Sequence, residues 1–211
     1  MALSKSPYGP WRKVGKDGLV VKPSDNPELW THRSRCGVTN PGFMKHPEGG
    51  YVIYFKALQQ KGTRRCMIGA AIAENLEGPY VQLPFPVLKN SVSIEAPVPF
   101  KYKGKFGLFT TDNHGIIEKG GGLIWTSTNG LTFDKYEQAY RLINHYVDYD
   151  MSKAKIHYGR QGKFEELQVL EIDGKAKYFY IVSGCNIYGG NGAASYILKY
   201  VDGKRVKQTV K

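Results

Sequence analysis

The chain is 211 residues long, 41% hydrophobic and 13% aromatic, enough for one well-cored domain and too short to demand two. Thirty Lys and Arg against eighteen Asp and Glu leave a formal charge of +12, a field that draws nucleic acid, anionic membrane, or an acidic or sulfated glycan without choosing among them. No apolar run approaches the ~20 residues of a membrane-spanning helix. Cys36, Cys66 and Cys185 are odd in number, widely spaced and without a CxxC pair, a pattern that fits neither a disulfide framework nor a zinc site.

The opening "MALSKSPYGPW" lacks the apolar core of a signal peptide. The expectation is a soluble protein that stays inside the cell or whose leader lies outside this sequence. From there, strand-like runs rich in Tyr, Phe, Val, Ile and Thr dominate, bounded by Gly, Pro or Asn, and they recur in a fixed order. "TNPGFM" leads to "GYVIYFKA", "MIGAAIAE" and "GPYVQL"; "IEAPVPF" leads to "KFGLFTTD", "GGLIWTST" and "LTFDKY". The segment "DKYEQAYRLINHYVDYDMSKAKI" is Tyr-rich and uncapped, and reads as a long connection with at most a turn or two of helix. A third unit then runs "FEELQVL", "KYFYIVSG", "AASYILKY" and "KRVKQTV". Three units of four short antiparallel strands are the pattern of β-propeller blades. The early "SPYGPWRKV" echoes "NLEGPYVQL" and is expected to be the outer strand of a preceding blade. The fold class is therefore all-β, with residues 1–211 forming one partial β-propeller domain.

Turn counting places polar groups where each inner strand begins. A two-residue turn at Lys103–Gly104 pairs Tyr102 with Lys105, which puts Glu95 opposite Asp112. The same counting puts Asn40 opposite Lys56 and Glu165 near Ser183. Opposed carboxyls on an antiparallel pair repel, and the strain is relieved if one keeps its proton at neutral pH. A protonated carboxyl beside an ionised one is what a general acid requires in glycoside hydrolysis. Two other outcomes stay open: a basic side chain that neutralises the pair, or a bulge that separates it.

At these residues the chain resembles the five-bladed β-propeller glycoside hydrolases, the group of arabinanases, β-xylosidases and neoagarooligosaccharide hydrolases. The blade openings keep Thr39, Asn40, Pro41 and Lys56 in the first unit, Glu95, Pro97, Gly104 and Asp112 in the second, and Glu165 and Gln168 in the third. "SPYGPW" and "EGPY" match the family's outer-strand signature, and the resemblance covers essentially the whole chain. The departures are Ala96, Glu166 and Leu167, where the family carries Asp, Arg and Pro, and Phe133 in place of a tryptophan. Members of the family are longer at the N-terminus by roughly two blades, and the aspartate that serves them as general base has no counterpart here.

The resemblance implies a carbohydrate ligand and a glycoside hydrolase or a catalytically silent carbohydrate-binding propeller. Glu95 would be the acid and Asp112 its charge partner. Asn40, Lys56, His114 and Glu165 would contact sugar, and Arg64, with Arg65, Lys56 and Lys61, would suit a carboxylated or sulfated one. Three blades and a strand leave open edges, so self-association or a partner chain is expected to cover them. Asn186, Tyr188 and Asn191 in "GCNIYGGNGAAS" are further sugar-contact candidates, "EKGGGL" lacks the context of a phosphate loop, and "KYVDGKRVKQTVK" alternates like an outer strand. His145 and His157 show no ligand spacing, and no residue set calls for a metal or cofactor. The basic charge comes without a nucleic-acid motif, which places nucleic-acid binding behind both glycan readings.

Overall fold

The computed structural model describes residues 1–59, 64–88, 92–148, 150–153, 156–157, 160–173, 175–183 and 194–199. Two short strands open it, β1 (Ala2–Leu3) and β2 (Arg12–Lys13), paired antiparallel. The first large sheet has the order β3 (Val38–Lys45), β4 (Tyr51–Leu58), β5 (Cys66–Ala73) and β6 (Val81–Gln82). The second runs β7 (Glu95–Tyr102), β8 (Lys105–Thr111), β9 (Gly122–Ser127) and β10 (Lys135–Tyr140). After two single 3-10 turns, Ile143–His145 and Met151–Lys153, comes a small ladder of β11 (Ile156–His157) and β12 (Arg160–Gln161). A third sheet follows, β13 (Phe164–Ile172), β14 (Lys175–Ser183) and β15 (Ala194–Lys199). These are the blades of a partial all-β propeller. The fourth strand expected of the last blade, "KRVKQTV", lies outside the described residues, as do Lys61, Cys185, Asn186, Tyr188 and Asn191.

The blades stack face to face because their strands are apolar on both sides, as a sheet buried on both faces requires. Along β4, Val52 and Tyr54 turn toward the second blade and meet Leu108, Leu123, Trp125 and Phe133, while Phe55 and Ala57 turn to the opposite face. The second blade alternates likewise: Phe100, Phe109 and Ile124 leave that first core and pack with Phe164, Leu167 and Ile181 of the third. Between β6 and β7 the chain stays along β5, with the N–H groups of Leu83, Val87 and Ile94 donating to the carbonyls of Ala70, Ile68 and Cys66. A parallel bridge from Leu88 to Phe133 ties the first two blades.

The inner strands of these blades are β3, β7 and β13. A Cβ added to Gly42 would lie 2.2 Å from the Pro97 carbonyl oxygen, so at that point β3 and β7 touch through backbone. Pro41, Val98, Pro99, Gln168 and Glu171, from all three inner strands, line one groove of about 420 Å³.

Three sequence expectations change. The fourth strand of the second blade, expected at "LTFDKY", is Lys135–Tyr140 and so runs on into the segment read as a connection, whose expected turn or two of helix is two 3-10 turns. Arg12–Lys13 of the "SPYGPWRKV" echo pairs with the chain start; its turn does repeat the later one, with Gly9 and Gly78 both at positive φ before a cis proline. The open face of the first blade is also covered by the chain itself: Val21 and Trp30 pack on Phe55 and Ala71, Ser34 accepts the Leu58 N–H, and Arg12 pairs with Glu77. Among the described residues, no helix is long and apolar enough to cross a membrane.

Candidate active site

Each inner strand opens with the same irregularity. The register slips between Thr39 and Gly42, between Glu95 and Val98, and between Glu165 and Gln168. In each slip one residue takes a left-handed conformation: Asn40 (φ 50°), Ala96 (φ 57°) and Glu166 (φ 53°). Such a bulge adds one residue to the strand and re-aims what precedes it. It also overturns the counted register. Glu95 lies opposite Thr111 rather than Asp112, and Lys56 opposite Thr39 rather than Asn40; Glu165, counted near Ser183, lies opposite its neighbour Val182 because a second shift between Leu170 and Glu171 offsets the first. Thr39, not Asn40, is the counterpart of Glu95 and Glu165.

Asp112 is almost fully buried, at 1% exposure, and its carboxylate is committed to its own loop. One oxygen accepts the N–H groups of Gly115 and Ile116 at 2.8 Å each, the other those of Ile117 and Glu118 at 2.8 and 3.0 Å. Four backbone donors on one carboxylate make a strong, charge-assisted clamp. The clamp fixes the loop that carries Asn113, and Asn113 donates its side-chain N–H to Glu95 Oε1.

The other Glu95 oxygen, Oε2, accepts from Lys56 Nζ at 2.8 Å. Glu95 thus bridges two blades, joined to the end of β4 by Lys56 and to the end of β8 by Asn113. An ammonium and an amide both donating is the setting of a carboxylate charge. Burial, the largest single influence on Lys56, pulls its ammonium down. The hydrogen bond and charge of Glu95, with the nearby Cys66 and Cys36 sulfurs, outweigh it and raise Lys56 above the usual lysine value. The neutralising basic side chain and the separating bulge, both left open by the sequence, are both present.

A second polar set adjoins this one. Asn40 Nδ2 donates to Glu166 Oε1 at 3.1 Å, joining the first blade to the third. Glu165 forms an ion pair with Lys163. Tyr140 is buried, and burial first, opposed by the nearby Thr111 hydroxyl and aided by the charges of Glu165 and Glu166, holds its hydroxyl well above the usual tyrosine value. Since Thr111 is the strand partner of Glu95, the two sets meet at one end of the blades. His114 is exposed in the Asp112 loop, and Arg64 is exposed just before β5, at the same end of the first blade as Lys56. Among the described residues no group of three or more His, Cys, Asp or Glu is gathered to hold a metal.

Sequence reasoning missed Asn113, Glu166, Lys163 and Tyr140. A signal existed for Asn113: "DNHG" is Asx-turn chemistry, in which an aspartate binds N–H groups just ahead of it, and that reading would have assigned Asp112 to the loop.

Solved structures share this fold. Zg3597, a family 117 glycoside hydrolase from the marine bacterium Zobellia galactanivorans, matches with a TM-score of 0.52 at 16% identity, over 90% of this chain and 48% of its own. A thermostable family-43 glycoside hydrolase matches with a TM-score of 0.50 at 14% identity, over 80% of this chain and 55% of its own. BT0996, in its RGII complex, matches with a TM-score of 0.60 at 13% identity, over 94% and 55%. The resemblance to glycoside hydrolase propellers is thus a likeness of fold, and the chain spans about half the length of each of these proteins. No family model matches the chain, and no curated protein does.

Proposed function

We propose that this chain, as one partial propeller over residues 1–211, is carbohydrate-active in the manner of glycoside hydrolases, taking an oligosaccharide or polysaccharide at the blade end that carries Glu95. The observation that supports it is the Glu95 carboxylate held between Lys56 and Asn113, one donor per oxygen, where three blades converge. Fold alone does not fix chemistry; this cluster is what makes the mouth polar and anion-sensitive. An anionic sugar suits it. A substrate carboxylate or sulfate that takes Lys56 away from Glu95 leaves that acid without its counter-charge, which favours the protonated form and lets it protonate a leaving-group oxygen. Asn113 then holds the acid in place. Asp112 acts through the loop that positions Asn113, while Asn40, Glu165, His114 and Arg64 contact sugar.

One observation favours a second reading, a silent carbohydrate-binding propeller. Asp112, the acid expected opposite Glu95, is sequestered by four N–H groups, so the Glu95 hairpin supplies no second working carboxyl. Turnover and binding of neutral, uronic and sulfated oligosaccharides, with wild type and Glu95→Gln, separate the two. A hydrolase loses about 10²–10⁴-fold of its rate in Glu95→Gln, the range a general acid supplies, while its melting temperature stays close to wild type. A binding module shows no turnover and an affinity that responds to Lys56→Met. Wild type that neither binds nor cleaves any such glycan overturns both. Affinity for nucleic acid that falls steeply with salt would replace them.

A further inference from the structure

Cys36 and Cys66 approach the end of β4 from opposite sides. Cys66 is the first residue of β5 and the cross-strand partner of Leu58. Cys36 lies just ahead of β3, next to Gly37, whose φ of 70° turns the chain out of the strand's line. Ser34 joins the two: its hydroxyl accepts the Leu58 N–H at 2.9 Å and lies 3.6 Å from Cys36 Sγ. Through Ser34 the Cys36 sulfur is thus held against the backbone of Leu58, the strand partner of Cys66, so both thiols stand at the same end of β4. Both are free thiols, and both are half-buried. Lys56, two residues back from Leu58, feels the charge of each sulfur.

We propose that Cys36 and Cys66 are a reversible disulfide site, oxidised by a small-molecule disulfide of the glutathione class, that ties the approach to β3 to the start of β5 beside the Lys56–Glu95 pair. Burial, then the charge of Cys36, hold the Cys66 thiol above its usual value, which suits Cys66 to the second, resolving step. The Cys36 thiolate attacks one sulfur of the oxidant. That S–S bond breaks, one glutathione thiolate leaves and takes up a proton, and a mixed disulfide remains on Cys36. The Cys66 thiolate then attacks the Cys36 sulfur and expels the second glutathione. In sum two protein S–H bonds become one S–S bond, and the oxidant is reduced to two thiols. The link sits close to the site: the Cys66 carbonyl accepts the N–H of Ile94, the residue before Glu95, at 3.0 Å. Closing a loop in the unfolded chain stabilises the fold, so the oxidised form melts at a higher temperature.

The test equilibrates the Cys185→Ser variant in glutathione buffers from fully reduced to fully oxidised, followed by acid quench, thiol titration and non-reducing peptide mapping. The expected result is the paired loss of both thiols, a Cys36–Cys66 linked peptide, an upward shift in melting temperature, and reversal by dithiothreitol. Cys36→Ser and Cys66→Ser, each in that background, instead retain one glutathione adduct on the remaining thiol. Peptide mapping of the wild-type chain reports the same linkage without any substitution. Thiols that stay reduced across the series, or separate adducts on Cys36 and Cys66 without a link between them, overturn the proposal. None of these readouts depends on any sugar chemistry.

Discussion

Lys56, Tyr54 and Tyr140 share one electrostatic trait: each holds its proton more firmly in the folded chain. For Lys56 burial acts against the shift and Glu95 outweighs it, whereas for Tyr54 and Tyr140 burial itself drives the shift. A raised value means the contribution to stability is whole below the unfolded values, 10.0 for the tyrosines and 10.5 for the lysine, and fades as pH climbs through the folded ones. Melting temperature should therefore fall above pH 10, each group adding a slope of up to about 1.4 kcal/mol per pH unit. Tyr54→Phe gives up the bond to the Gly130 carbonyl, 2.6 Å long, for about 1 kcal/mol at neutral pH, and flattens that alkaline fall. A melting temperature that does not change between pH 9 and 11.5 would contradict this. Asp112 works by a different route. Asp112→Ala leaves four part-buried loop N–H groups without their acceptor and should cost on the order of 2–3 kcal/mol in chemical denaturation; a loss under about 1 kcal/mol would show that the clamp is not holding the loop.

The inner strands are where element geometry decides the site. At Gly42 the close approach of β3 to β7 leaves no room for a side chain, since an added Cβ would meet the Pro97 carbonyl oxygen at 2.2 Å and Pro99 Cδ at 2.6 Å. Backbone cannot swing aside as a long side chain can, so Gly42→Ala should destabilise by about 2 kcal/mol or more through overpacking. It should also loosen the Lys56–Glu95 bridge, because Glu95 begins β7. A neutral effect in equilibrium unfolding would mean that the two strands do not share an axis. Blade order was legible in the sequence because two-sided burial writes long apolar runs such as "YVIYFKAL" and "KFGLFTT", and because turn residues mark the hairpins between them. Register at the blade mouths was not. The bulge rests on residues in left-handed conformation, and Ala96 carries no hint of it, since alanine adopts that conformation only when its surroundings impose it. Asn40, which tolerates it, was the one visible sign. Glu95 and Lys56 could be named one at a time, but their pairing joins strands of two blades and needed both registers at once.

At the scale of the molecule the two ends of the blade stack are unequal. The first blade's outer face is partly covered by residues from the chain's own start, with Thr31 fully buried and bonded to Gln82. The third blade's outer face is not sealed by any described residue: Leu170, Ile172, Tyr180 and Ile197 are 40–62% exposed on alternating positions of three strands. The opposite alternation, Val169, Phe179, Tyr196 and Leu198, packs on the second blade. The pattern in β13–β15 is thus that of a two-sided blade with one side unfilled. We propose that a second copy covers this exposed face, meeting it with its own as a two-fold dimer. Light scattering at micromolar concentration should give twice the chain mass, and Ile197→Lys combined with Tyr180→Lys should return it to the monomer with the fold kept. A wild-type chain that stays monomeric at those concentrations would mean that the face is filled in some other way.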